Sequence, residues 1–138
     1  MIPRQASCVA IGGRALLIEG PPGSGKSSLA LALIDRGAVL IGDDSLLLEA
    51  RKSRLLAHPH PNTRGLLELR NLGLATFPVC SEAPVALAIR LDESAPRFIE
   101  AAGQITIAGI TVPMVRLWPG SPVIHLRAEL ALERFGLG

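Results

Sequence analysis

Residues 20–27 read Gly-Pro-Pro-Gly-Ser-Gly-Lys-Ser and match the pattern G-x-x-x-x-G-K-[ST]. An apolar run over 15–18 precedes this segment and a longer apolar run over 29–34 follows it, which predicts a strand, a tight loop and a helix. The glycines let the backbone turn several N–H groups inward, and the helix adds the positive end of its dipole. The pattern therefore predicts a P-loop, a segment that binds a polyphosphate.

The residue types within this loop predict separate roles. We expect Lys26 to reach the outer phosphates and the Ser27 hydroxyl to bind Mg²⁺, which indicates an enzyme that uses a nucleotide. The predicted nucleotide-binding residues are Gly20, Pro21, Pro22, Gly23, Ser24, Gly25, Lys26, Ser27 and Ser28.

The chain has 138 residues, of which 49% are hydrophobic, so it can build one core but is short for two ordinary domains. We expect residues 1–138 to form a single domain. A formal charge of +2 and the lack of a basic stripe argue against nucleic-acid binding. No apolar run has the length of a signal peptide or a membrane span, and Cys8 and Cys80 form no C-x-x-C pair, so a cytoplasmic protein with reduced thiols is expected.

The strand that enters the loop has a predicted antiparallel neighbour. Residues 7–11 and 15–19 flank a Gly-Gly-Arg segment that is typical of a hairpin turn. The common mononucleotide-binding sheets are built from parallel βαβ units, so this hairpin favours an α/β fold with a mixed, largely antiparallel sheet.

Further elements follow from composition and periodicity. A short strand over 38–41 should follow the first helix, and 58–65 should be a loop. We expect a last helix with Ser121 as N-cap and Pro122 at its first position, ending at Gly136. The remaining predictions are hairpins over 46–57 and 104–112, an ordered element over 66–70 and a strand over 85–91.

Two adjacent acids, Asp43 and Asp44, come directly after the strand that follows the first helix. That strand should return the chain to the edge of the sheet where the phosphate loop lies, so both carboxylates should face the phosphates. One carboxylate can hold Mg²⁺ or its waters while the other accepts a proton from the attacking hydroxyl. On the pattern alone, a turn or helix-capping pair is the alternative.

Glu68 and Arg70 lie two residues apart on a predicted strand and should therefore face the same side. Both could address the nucleotide, and a surface charge pair is the alternative. His58 and His60 have no third ligand at a recognisable spacing, which favours loop histidines over a metal site. Trp118 is either a partner-docking aromatic or part of the core.

Three segments together resemble the catalytic domain of the HPr kinase/phosphorylase family, whose members phosphorylate a serine of the phosphocarrier protein HPr and reverse that reaction with inorganic phosphate. The segments are 20–31, then 33–44 with Arg-Gly ahead of a strand that ends in Asp-Asp, and then 66–74 with a Glu-x-Arg motif. The resemblance covers the first half of the chain well and is looser at 110–113. The chain is similar to a short form of the family without an N-terminal domain.

This resemblance implies residue roles, carried over position by position. Lys26 would bind phosphate, Ser27 and Glu68 would be metal ligands supported by Asp43, and Asp44 would accept the proton in phosphorylation and donate it in the reverse reaction. Arg70 belongs to the same implied catalytic set.

The resemblance also implies the wider properties of the protein. It implies ATP and Mg²⁺, HPr as partner, regulation of sugar uptake and carbon metabolism, a fold similar to phosphoenolpyruvate carboxykinase, and a hexamer.

The chain departs from the family pattern at several places. Gln5 stands where the family has a histidine, and Arg116 is the single cation in what should be a basic loop. A segment with a catalytic arginine looks deleted between 74 and 85. These departures favour kinase over phosphorylase activity. They keep two alternatives open: a kinase for a small metabolite, and a nucleotide-binding regulatory module without catalysis.

Overall fold

A computed structural model describes all residues, 1–138. Its elements are β1 (Ile2–Arg4), β2 (Ser7–Ile11), β3 (Arg14–Glu19), α1 (Lys26–Asp35), β4 (Val39–Gly42), β5 (Leu46–Arg51), β6 (Arg54–Pro59), β7 (Leu66–Leu69), β8 (Gly73–Thr76), β9 (Ala83–Leu91), β10 (Gly103–Ile107), β11 (Ile110–Leu117) and α2 (Ile124–Phe135).

Nine of the strands form one curled sheet in which most neighbours are antiparallel. Its order is β1-β5-β6-β9-β3-β2-β4, and β11 joins β9 and carries β10. The parallel strand pairs are β3 with β9 and β9 with β11. Strands β7 and β8 form a separate two-stranded sheet. The mixed, largely antiparallel α/β architecture expected from the sequence is therefore confirmed.

The hairpin ahead of the glycine-rich loop (residues 20–25) has the predicted register. Strands β2 and β3 pair from Ser7–Ile18 to Ile11–Arg14. Gly12 and Gly13 adopt φ values of 57° and 83°, as a tight turn with two left-handed residues requires. Strand β3 thus lies between β2 and β9 and delivers Gly20 from the interior of the sheet.

The core lies on both faces of β3 because successive side chains of a strand point to opposite sides. Leu16 and Ile18 pack with Leu33 and Leu132, which belong to α1 and α2, on one face. Leu17 packs into a second cluster, with side chains of β5, β6 and β9. The loop that follows β3 is therefore anchored to a strand that is buried on both sides.

The start of the last helix differs from expectation. Helix α2 begins at Ile124, and Ser121 Oγ instead accepts the Val123 N–H at 3.2 Å, so this serine organises the preceding turn. The helix does end at Gly136. Trp118 is 51% exposed and is therefore no core residue.

Neither helix combines the length and the apolar character that crossing a bilayer requires. The two cysteines, Cys8 and Cys80, are free thiols. Cys8 is fully buried, which raises its pKa, and Cys80 is partly buried.

The prediction of a loop over 58–65 was wrong at its start because His58 and Pro59 extend β6. His58 Nε2 lies 2.9 Å from Glu49 Oε1 on the neighbouring strand. Arg51 Nη2 lies 2.7 Å from Glu49 Oε1 and 2.8 Å from Glu82 Oε1. The Arg51 guanidinium therefore already supplies the cation between these two carboxylates.

This network predicts an acid-sensitive contribution to stability. The hydrogen bond from Arg51 lowers the pKa of Glu49 below its ordinary value of 4.5. A carboxyl whose pKa is depressed in the folded state binds fewer protons there than when unfolded, so its contribution is complete above pH 4.5 and is lost as the pH falls through the folded pKa. Urea unfolding between pH 6 and pH 3 should show a shallower loss of stability for Glu49→Gln than for the unsubstituted protein.

The exposed residue Glu100, which has no ion pair, provides the control substitution Glu100→Gln. Identical acid profiles for Glu49→Gln and the unsubstituted protein would contradict the assignment.

Candidate active site

Strand direction brings the glycine-rich loop and the Asp43-Asp44 pair to one edge of the sheet. Strand β2 is antiparallel to both β3 and β4 and lies between them, so β3 and β4 run in the same direction. The loop follows the last residue of β3, and Asp43 follows the last residue of β4. The expected return of the chain to the same edge is confirmed.

A polar cleft of about 380 Å³ lies at this edge. It contains every residue predicted to be catalytic or metal-binding, and no large apolar side chain lines it. The lining residues are Ser7, Pro22, Gly23, Gly25, Lys26, Ser27, Ser28, Asp43, Asp44, Glu68 and Arg70. Three predicted nucleotide-binding residues line adjacent clefts instead: Gly20, Pro21 and Ser24.

Asp43 is the most highly connected side chain of the cleft. It is 8% exposed, and its Oδ1 accepts hydrogen bonds from Ser7 Oγ and Ser27 Oγ, both at 2.7 Å. Its Oδ2 accepts the backbone N–H of Glu68 at 3.1 Å. One buried carboxylate therefore fixes β2, the first turn of α1 and the start of the β7–β8 sheet around the cleft.

Asp44 occupies a different environment from its neighbour. It is exposed, and its φ of 62° places it in the left-handed region that Asp and Asn tolerate better than most residues. Gln5 Nε2 lies 3.5 Å from Asp44 Oδ1 and donates to it. Close contact also constrains the turn before Asp44, because a Cβ on Gly42 would lie 2.5 Å from the Ser45 carbonyl oxygen.

The side chain of Lys26 contacts the backbone of the glycine-rich loop that precedes it. Lys26 Nζ donates to the carbonyl oxygen of Gly20 at 2.6 Å and lies 3.4 Å from that of Pro21. A side chain at Gly20 would place its Cβ 2.6 Å from Ser24 Oγ and 3.1 Å from Leu91 Cβ, so glycine lets the loop pack closely against both residues. Gly25, with a φ of 103°, is the N-cap residue in front of α1.

The first turn of α1 presents free hydrogen-bond donors. The backbone N–H groups of residues 26–28 make no hydrogen bond within the chain, and the first intrahelical bond joins Leu29 N to Gly25 O at 2.9 Å. No side chain caps this end and no acidic residue lies in the first turn. Ser24 Oγ, inside the loop, is buried without a partner. These groups are suited to bind an anion.

Glu68 and Arg70 reach the cleft from the separate β7–β8 sheet. Leu67 between them and α1 is fully buried, whereas Glu68 and Arg70 are exposed and line the cleft. Both charged residues thus border the cleft as expected, but only Glu68 lies on a strand, because β7 ends at Leu69 and Arg70 lies in the following turn. The hydrogen bond from Phe77 N to Gly65 O, at 2.8 Å, closes the base of this small sheet.

Sequence reasoning missed two members of the site. Ser7 falls in a predicted strand, and its bond to Asp43 depends on the pairing of β2 with β4. Gln5 stands where the family has a titrating histidine, yet it donates to Asp44. A polar residue at the start of an otherwise apolar strand was the available signal for Ser7.

Comparison with known proteins points to one family. A family model described as the HPr Serine kinase C-terminal domain matches residues 3–117. The HPr kinase/phosphorylase of Mycoplasma mycoides is 32% identical over 64% of this chain and 31% of its own length. That of Chloroherpeton thalassium is 30% identical over 94% of this chain and 42% of its own length. The chain thus spans between about a third and two fifths of these relatives.

A solved structure with a closely similar fold is the HPr(Ser) kinase/phosphatase from Coxiella burnetii. Its TM-score is 0.86 and its sequence identity is 26%, with 97% of this chain and 95% of that chain covered. The curled, mostly antiparallel sheet is therefore that of a known fold.

The two neighbouring aspartates should respond differently to substitution by asparagine. Asp43→Asn should lower the free energy of unfolding by about 1–3 kcal/mol, because an amide cannot accept hydrogen bonds from all three donors. Asp44→Asn should change the free energy of unfolding by no more than about 0.5 kcal/mol, since the Asp44 carboxylate is exposed and asparagine tolerates a positive φ. Urea unfolding monitored by circular dichroism measures both, and equal effects would contradict the supporting role of Asp43.

Proposed function

The chain belongs to the HPr serine kinase C-terminal domain family, and from this membership we propose that it transfers the γ-phosphoryl group of ATP to a serine hydroxyl of the phosphocarrier protein HPr. The observation that carries the proposal is the geometry of the cleft. The hydrogen bond between Ser27 and Asp43 fixes the start of α1 next to the exposed Asp44. Anion-binding donors and an accessible carboxylate lie there within one small volume.

Nucleotide binding is supported by the free donors of the glycine-rich loop. The N–H groups of residues 26–28 and the positive end of α1 suit the phosphates of ATP. Lys26 Nζ, which contacts the Gly20 carbonyl, would exchange that contact for the outer phosphates. In this proposal residues 20–28 form a P-loop within a fold similar to phosphoenolpyruvate carboxykinase.

The oxygen groups of the cleft fit Mg²⁺, a hard cation that prefers oxygen ligands. Ser27, Glu68 and Asp43 would hold it directly or through water. Ser27 Oγ gives its hydrogen to Asp43 at 2.7 Å, which leaves the lone pairs of the hydroxyl for a metal. When bound, the metal neutralises charge on the phosphates.

Asp44 would be the general base. Its exposed carboxylate, oriented by the Gln5 amide, can accept the proton of the acceptor serine as the serine oxygen attacks the γ-phosphorus. The new O–P bond forms as the bond from phosphorus to the ADP oxygen breaks, and ADP leaves with that electron pair. Lys26 and Arg70 would stabilise the charge that develops on the phosphoryl oxygens.

The reverse reaction follows from the same groups, with a protonated Asp44 returning its proton to the serine oxygen while inorganic phosphate attacks.

We place the protein in the regulation of sugar uptake and carbon metabolism, in the cytoplasm, as a single domain that assembles into hexamers. The presence of Asp43, Asp44 and Glu68 in one cleft argues against a regulatory module without catalysis. The family match favours HPr over a small metabolite as acceptor.

Asp44→Asn should lower transfer of labelled γ-phosphate from ATP to purified HPr by about a hundredfold or more, because the amide cannot accept a proton. ATP binding should stay within about twofold of the unsubstituted protein, whereas Lys26→Ala should weaken it strongly. The matched control is Asp35→Asn, an exposed carboxylate at the far end of α1.

Transfer by Asp44→Asn at the unsubstituted rate would remove Asp44 as the base. Tight, Mg²⁺-dependent ATP binding without transfer to HPr would instead remove HPr as the acceptor.

A further inference from the structure

A second cleft of about 380 Å³ borders the first residues of the glycine-rich loop. It is lined entirely by polar or small residues, and two of them are arginines from different strands. The lining residues are Arg4, Gln5, Glu19, Gly20, Pro21 and Arg90.

Glu19 organises the two arginines. It is the last residue of β3 and is 8% exposed. Arg4 Nε donates to Glu19 Oε2 at 2.5 Å, and Arg90 Nη2 lies 3.5 Å from Glu19 Oε1. Arg90 is the direct register partner of Glu19 on β9. The carboxylate thus holds guanidinium groups from β1 and β9 on the same side of the loop.

The two guanidinium groups at this cleft carry more positive charge than the Glu19 carboxylate neutralises. One guanidinium would neutralise one carboxylate, yet two are present, and each makes a single hydrogen bond within the chain. Their side chains are 32% and 47% exposed. Asp92, which lies two residues beyond Arg90, is paired with Arg116 at 3.2 Å. N–H donors of Arg4 and Arg90 therefore remain available to an anion.

The position of this cleft connects it to the point of phosphoryl transfer. Gln5 lines it and also donates to Asp44, the proposed base. Gly20 lines it and its carbonyl oxygen contacts Lys26 Nζ. The two arginines thus lie beside the start of the loop, in a cleft that Gln5 connects to Asp44.

We infer that Arg4 and Arg90, oriented by Glu19, form a phosphate-binding subsite next to the glycine-rich loop. Its ligand is a phosphate dianion, present either as free inorganic phosphate or as the phosphoryl group on the acceptor. Guanidinium groups suit this ligand because their planar N–H pairs match two phosphate oxygens. The role in transfer rests on the proposed function, whereas the binding of phosphate is measured independently of it.

The test uses the full chain with ADP and Mg²⁺ present, so that the glycine-rich loop is filled, and titrates inorganic phosphate by calorimetry. Arg90→Gln should raise the Kd for phosphate about tenfold, the loss expected for a charge-assisted hydrogen bond, while ADP binding stays within about twofold. Arg4 still neutralises Glu19 in this variant, so folding is preserved. Arg4→Lys, which keeps the charge, should weaken phosphate binding about threefold because it loses the planar N–H pair.

The matched control is Arg54→Gln, an exposed arginine without an ion pair at the distant end of the β5–β6 hairpin. Unchanged phosphate binding in Arg90→Gln, or an equal loss in Arg54→Gln, would overturn the subsite. Absence of phosphate binding by the unsubstituted, ADP-loaded protein would overturn it as well.

A second arm of the experiment distinguishes the source of the phosphate. If Arg90→Gln loses phosphate affinity but transfers phosphate to HPr at the unsubstituted rate, the subsite serves free phosphate. If both fall, it serves the phosphoryl group in transfer. If ADP fails to bind, the proposed function is at fault, and phosphate titration without nucleotide still tests the arginines.

Discussion

The three hydrogen bonds accepted by the Asp43 carboxylate are the constraint on which the rest of the site depends. Each donor comes from a different part of the chain: Ser7 begins β2, Ser27 lies in the first turn of α1, and the Glu68 N–H belongs to β7. A buried carboxylate is tolerated only where its oxygens are paired, so the three elements must meet around it. The cleft thus lies where three elements meet to supply hydrogen bonds to one buried carboxylate.

The two adjacent carboxylates of Asp43 and Asp44 therefore lie in different environments. Asp43 is buried and accepts three hydrogen bonds, whereas Asp44, with its left-handed φ, is exposed and accepts a hydrogen bond from Gln5. In the proposed reaction, an acid that is already engaged in structure makes a poor proton acceptor, and the exposed acid in the cleft that Lys26 also lines makes a suitable one. The roles proposed for Asp43 and Asp44 therefore follow from their backbone conformations.

Local patterns predicted much of this structure. The hairpin of β2 and β3, the helix after the loop and the meeting of the loop with the Asp43-Asp44 pair all followed from short-range turn chemistry and connectivity. Contacts between distant segments were not accessible in this way. Ser7 reaches Asp43 across a strand pairing, and His58 lies in β6, where it pairs with Leu47 of β5 and its side chain contacts Glu49 of the same strand. Ser121 has the residue type of an N-cap but stabilises a turn, since the two functions use the same hydroxyl geometry.

The central claim is that the loop and Asp43 prepare one cleft for a Mg²⁺-bound nucleotide. A crystal structure of the protein with Mg²⁺ and a non-hydrolysable ATP analogue tests it most directly. The account predicts phosphates against the N–H groups of residues 26–28, Lys26 Nζ moved from the Gly20 carbonyl to a phosphate oxygen, and Mg²⁺ at about 2.1 Å from Ser27 Oγ. A nucleotide bound elsewhere, with Lys26 still on Gly20 O, would contradict it.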